Sequence, residues 1–314
     1  MRDLLDARKH PGLSFGSPWS NCYGVARSCI ALGPMLTLLF TPLSDLLFGM
    51  KGSSLDRCVG PVRFGLFCLG GQHGAEVKQW VAIVVLGAVV SGWRPRITCL
   101  PHAYVAVSFF LNQSNGDGGD QISSIVSLLL LPVCLTDPRR WQWTVYEPVR
   151  CVRNPSGSFR ADASTTAAVV GMCVIKLQIS WIYVQSGISK LGQSFWVDGT
   201  AMYYFVRHGT FGASHWTRDT LYWVTSQPVL EAALTWAPIV IEVAVGVSLL
   251  LPRRFRALLL PPALLLHLMV AVVLGLWSFS VVMWGCLIFL LVPMGTQFRR
   301  LARPVTVSQP ERRD

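Results

Sequence analysis

From Tyr23 to Met294 the chain is a succession of long apolar blocks, with its charge gathered between them rather than alternating through them. Such blocks approach the ~20 residues that carry a helix across the hydrocarbon core of a bilayer. A water-soluble fold would have to bury all of them in one interior. Only 14% of the residues are charged and available to coat an outside, against roughly 25% in an ordinary soluble domain. The fold class that follows is all-α, a polytopic membrane bundle of eight expected spans at 23–40, 77–93, 98–111, 121–136, 163–190, 229–251, 257–275 and 277–294. The third is short and either tilts or re-enters. Backbone amides in lipid must be satisfied within the segment, which makes these helices. No ten-residue alternation supports a barrel.

The organisation expected is a cytoplasmic segment over 1–22, one transmembrane domain over 23–294 and a polar, disordered cytoplasmic tail over 295–314. The first block follows charged and turn-forming residues and ends without a small-residue cleavage site. It therefore reads as a retained span rather than a cleaved leader. A net charge of +11 would point to nucleic acid in a soluble protein. Here the basic residues sit at the ends of apolar blocks and form no stripe interleaved with aromatics, so nucleic-acid binding is excluded. With a cytoplasmic N-terminus and eight crossings, 18 Lys and Arg fall on the cytoplasmic side and 6 outside, the bias that sets orientation in membranes. Segments 41–76 and 191–228 then face outward.

Cys58 and Cys68 both lie in the first outer segment, where an oxidising compartment favours a disulfide between them; two free thiols are the alternative. Cys151 falls in a cytoplasmic loop. The other six cysteines lie in or beside spans, as small hydrophobes. No CxxC is present, and no P-loop, GxSxG, HExxH or GxGxxG.

Ionisable groups inside spans are costly unless paired or hydrated, which singles out Arg27, Lys176 and Glu242. Lys176, Ser180, Tyr183, Gly187 and Lys190 recur at spacings that share one helix face. This polar stripe must meet a partner helix or a wet cleft. In the structural reading Lys176 pairs with Glu242 and Lys190 snorkels to the interface. In the functional one, Lys190 stands at the mouth of a cleft open to the outside. Asp117 and Asp120 sit in a tight turn before the fourth span. Asp120 is expected to cap that helix; acid–base work or cation binding by the pair is the alternative. His102 and His267 read as core residues. His208 and His215 flank an outer Gly-rich stretch, and no ligand spacing supports a metal site.

The run VQSGISKLGQSFWVDGTAMYY at 184–204 resembles the signature of the HTTM superfamily, which includes the vitamin K-dependent γ-glutamyl carboxylases. In that signature a span ends in Ser/Ala-Gly-x-x-Lys-Leu and is followed by Trp-x-x-Gly and an aromatic-rich helix. The runs PWSNCYGVARS at 18–28, SGWRP at 91–95, DGGDQI at 117–122 and TDPRRW at 136–141 are similar to the sporulation-delaying protein B family. These are bacterial membrane proteins encoded beside secreted antimicrobial peptides and needed for their maturation. The resemblance spans about 18 to 295, nearly the whole chain.

The resemblance implies a multi-pass protein of the bacterial cytoplasmic membrane that handles a secreted peptide precursor at the outer face, with membrane lipid and a small soluble accessory protein as partners. It implies that Lys190 is the reactive or binding group, with Asp117 or Asp120 as its carboxylate partner. Gly119 and the stretch carrying Ser186, Gly187, Trp196, Gly199, Tyr203 and Tyr204 would face the substrate. In the carboxylases the motif lysine is the proposed base toward reduced vitamin K, so a quinone or another lipid-soluble reductant is an alternative cofactor. Two departures separate the chain from those enzymes: it has no large extra-membrane domain, and Asp120-Gln121 stand where a catalytic histidine is sought. A transporter or immunity component without chemistry is the third possibility. It predicts finished peptide trapped inside the cell.

Overall fold

A computed structural model of the protein describes residues 17–47, 58–69, 74–114, 117–145, 159–209 and 212–298, with the backbone alone at 159–162. Most of the expected N-terminal segment and polar tail, residues 115 and 116 of the tight turn, and Cys151 lie outside the described residues. Eight main helices are present among those described: α1 Asn21–Phe40, α2 Ala75–Val90, α3 Pro95–Asn112, α4 Gly118–Leu129, α5 Phe159–Lys190, α6 Pro228–Gly246, α7 Arg253–Leu274 and α8 Trp277–Leu291. Short helical turns fill the connections, including Ser194–Val197, Ala201–Val206 and Arg218–Val224.

Helix boundaries follow local chemistry. Ser20 caps α1, its side chain accepting from the Tyr23 amide at 3.1 Å. Proline opens α3 and α6 at a position where no amide donor is needed. Gly275, in the left-handed region at φ 73°, ends α7. The N-cap of α4 is Asp117, whose Oδ1 accepts from the Asp120 amide at 2.8 Å. The helix starts at Gly118, one turn before the sequence pattern indicates. Asp120 is therefore in the first turn and not at the cap.

The apolar core has two main parts with α1 between them. On one side of α1, Ile30 packs with Val126 of α4, Ile175 and Ile179 of α5, and Leu287 and Leu290 of α8. On the other side, Leu38 packs with Leu86 and Val89 of α2, Phe109 of α3 and Phe67. A third, small cluster joins Trp196, Ala201 and Ile239.

Four helical segments are long and apolar enough to cross a membrane: Asn21–Phe40, Ala163–Lys190, Pro228–Leu250 and Arg253–Leu274. The expectation of eight spans is corrected to four candidates on this measure. The reasons are length, continuity and, for α3, polarity. α2 and α8 have 16 and 15 residues. α3 is only 18 residues long and carries Pro101 and His102. The fourth expected span breaks at Leu130 into α4 and a five-residue turn. The outer surface nevertheless has a membrane character. Leu177, Trp181, Val240 and Leu258 are each more than 60% exposed on these helices, which is stable against hydrocarbon and not against water. The fold is all-helical among the described residues, and the protein is a membrane protein.

Candidate functional site

The last turns of α5 position the site. Its polar stripe turns toward α6 and α7. Ser180 Oγ donates to the Gly246 carbonyl of α6, and Tyr183 Oη lies 2.8 Å from His267 Nε2 of α7. Gly187 lets α6 approach: a Cβ there would lie 2.7 Å from Val243 Cγ2. One turn on, Lys190 Nζ meets Glu242 Oε2 at 2.5 Å, with the two side chains 18% and 12% exposed. The ammonium also donates to Ser186 Oγ at 2.9 Å and to the Ser186 carbonyl at 3.1 Å, and lies 5.4 Å from the centre of the Trp196 ring.

These groups line a cavity of about 260 Å3 whose remaining wall is largely apolar: Ile122, Ile182, Leu266, Val270, Phe279 and Met283. Its polar groups are Ser186, Lys190, Glu242, Tyr183 and His267. His267 Nδ1 is buried and has no hydrogen-bond partner among the described residues. The arrangement places one ammonium–carboxylate pair and one tyrosine–histidine pair around a small apolar chamber. Glu242 is the carboxylate in direct contact with the Lys190 ammonium.

The Trp-x-x-Gly run closes the chamber. Trp196, nearly buried, ends a helical turn, and Gly199 reverses the chain at φ 74°, a conformation that favours glycine. The helix Ala201–Val206 then returns along α6, with Phe205 on the cavity wall. Tyr203 does not line the cavity. Its amide donates to Glu231 Oε1 at 2.7 Å, and its ring stacks on Arg207, whose guanidinium carbon lies 3.6 Å from the ring centre. Tyr204 lines a second, open groove of about 490 Å3 with Ser194, Phe195, Asp198, Thr200 and His208, and Phe205 is shared by both spaces.

Two expected pairings are corrected, and Arg27 gains partners. Lys190 takes Glu242 as its carboxylate, and neither Asp117 nor Asp120 lines the cavity. Lys176 does not pair with Glu242. It donates to the carbonyls of Phe289, Leu290 and Val292, the last two at 3.1 Å, and so neutralises the negative end of α8. Arg27, fully buried, has neutral partners: Gln142 Oε1 at 3.0 Å and Thr98 Oγ1 at 2.7 Å.

Asp117 and Asp120 stand at the head of α4, outside the candidate spans. Burial, and then the neighbouring Asp117 carboxylate, push Asp120 up to about 7. Gln113 Nε2 donates to its Oδ2 at 2.6 Å. Cys58 and Cys68 are joined as a disulfide, with 5.5 Å between their Cα atoms. Sequence reasoning missed Glu242 as the partner of Lys190 and set His267 aside as core. The only signal for the latter is a lone histidine in an otherwise apolar run.

The chain is 36% identical over 292 residues to the uncharacterized protein YitO of Bacillus subtilis strain 168, covering 91% of each chain. It is 30% identical over 284 residues to the sporulation-delaying protein SdpB of the same organism, covering 88% of this chain and 83% of the relative. No family model matches, and no solved structure does.

Proposed function

The chain belongs to the family of sporulation-delaying protein SdpB, and from that premise we propose that it is a multi-pass membrane factor in the maturation of a secreted antimicrobial or toxin peptide. The peptide precursor is handled at the outer face of the bacterial cytoplasmic membrane, with a small soluble accessory protein as partner. The candidate spans cross the bilayer, and both chain ends face the cytoplasm. The single observation that carries this reading is the Lys190–Glu242 pair at the edge of an apolar chamber beside an open groove. The pair borders the chamber, and the neighbouring groove gives it a placement that suits an arriving peptide. Lys190 is the reactive or binding group, Glu242 holds its proton, and the 184–204 motif lies in an HTTM-type domain.

One observation favours a second reading. The chamber of about 260 Å3 is too small for a folded peptide, and its walls suit a lipid-soluble reductant such as a quinone. Such a group would supply redox chemistry when bound. The chain's own residues would surround it with Ile122, Ile182, Phe279 and Met283, hold a proton between Lys190 and Glu242, and offer the unpaired Nδ1 of His267.

Mass spectrometry of the peptide in a deletion strain carrying wild-type protein or Lys190→Ala tests the proposal. Unmodified precursor with Lys190→Ala, at unchanged membrane levels, is the expected result. Finished peptide in that strain removes the reactive role of Lys190. Finished peptide trapped inside the deletion strain would establish transport instead.

A further inference from the structure

Outside the Lys190 chamber, the tight turn between α3 and α4 gathers oxygen acceptors with too few donors. Asp117 Oδ1 is committed to the Asp120 amide, and Asp117 Oδ2 has the Ser278 hydroxyl at 3.5 Å. Asp120 is 4% exposed, and the one side chain that bonds its carboxylate is Gln113, also 4% exposed. No Lys, Arg or His bonds either carboxylate among the described residues.

The capping bond and the helix dipole account for Asp117 and for a negative charge in the first turn. They do not account for Gln113. Its amide group is held against Asp120 through Nε2, yet its Oε1 is buried and has no hydrogen-bond partner among the described residues. A buried acceptor left without a donor, on the same amide that bonds the Asp120 carboxylate, is unfavourable. A cation reverses that. It bonds carboxylate, amide and hydroxyl oxygens together and offsets the charge.

We propose that Asp117, Asp120, Gln113 Oε1 and Ser278 Oγ form a binding site for a hard divalent cation, Ca2+, at the junction of α3, α4 and α8. The donor set is all oxygen, which suits Ca2+ over thiolate- or imidazole-seeking metals. No group of three His, Cys, Asp or Glu is gathered among the described residues, so the remaining positions on the ion belong to water. Asp117 is half-exposed and gives the route in, while buried Asp120 forms the floor. The ion would tie the start of α8 to the start of α4, beside Phe279, which lines the Lys190 chamber.

Thermal unfolding of the full chain in detergent, titrated with CaCl2 at constant ionic strength, tests this. The expected result is a saturable rise in Tm, half complete at roughly 10⁻⁴–10⁻³ M as in extracellular calcium modules. Asp120→Asn and Gln113→Leu should lose the rise, and Glu76→Gln, an exposed carboxylate at the start of α2, should keep it. Should those variants fail to fold, wild-type protein decides alone: terbium should show tryptophan-sensitised emission, with Trp277 next to Ser278, and Ca2+ should displace it. An equal rise with Mg2+ or Na+ means charge screening and overturns the proposal. So does a rise retained by Asp120→Asn and Gln113→Leu, or terbium emission that Ca2+ does not displace.

Discussion

Lys190 and Glu242 each retain a small exposed fraction of side chain, 18% and 12%. Their pair is therefore partly screened, and removing one partner should cost toward the low end of the ~3–5 kcal/mol seen for broken buried pairs. Lys190→Met or Glu242→Leu alone should lower Tm, and the double variant should recover most of the loss while yielding no mature peptide. A double variant that still makes product would show that the pair is only structural. Lys176 belongs to the other kind. Replacing it by Met strips the donor from three carbonyls at the end of α8, at a cost of about 1–3 kcal/mol for buried groups left unpaired. Tm should fall with the peptide still matured at permissive temperature. Both lysines were visible in the sequence as points on one helical stripe. Their partners were not, because spacing fixes a face but not the azimuth of the neighbour or the height at which it crosses. Glu242 lies opposite Lys190 only because α6 crosses α5 at Gly187.

That crossing is a property of two helices. A Cβ on Gly246 would come 2.5 Å from Val184 Cγ2 and 2.7 Å from the Val184 backbone nitrogen, whereas one on Gly187 would meet Val243 Cγ2 at 2.7 Å and backbone atoms only at 3.3 Å or beyond. Gly246→Ala should therefore be the more harmful, toward the upper end of the ~1–3 kcal/mol typical of overpacking, and Gly187→Ala the milder. Gly87, in the interior of α2 with nothing within 4 Å, supplies the opposite sign. Gly87→Ala should stabilise by about 0.5–1 kcal/mol through the restricted unfolded chain. Chemical or thermal unfolding of the three variants in one detergent ranks them. Helices were legible from the apolar blocks, since lipid leaves no other backbone solution for them. Their number as spans was not, because the break at Leu130 and the shortness of α2 and α8 depend on packing that a run of apolar letters does not encode.

At the scale of the molecule, the proposed encounter with a peptide depends on orientation. Ser189→Cys, at the end of α5, should react from outside intact cells with a membrane-impermeant thiol reagent, and Arg253→Cys, at the start of α7, should react only after permeabilisation. The reverse pattern would place the chamber toward the cytosol and remove the proposed site of maturation.

The first and last helices are packing partners, and Asn21 bonds Phe298 in both directions, at 2.8 Å to its carbonyl and 2.7 Å from its amide. Synthesis runs in one direction, so α1 leaves the ribosome long before α8 exists to cover it. In that interval Arg27 also waits for Thr98 and Gln142, which are made later. A nascent chain halted short of residue 142 would hold a guanidinium lacking its Gln142 partner at membrane depth, a state for an insertase or a quality-control protease to recognise.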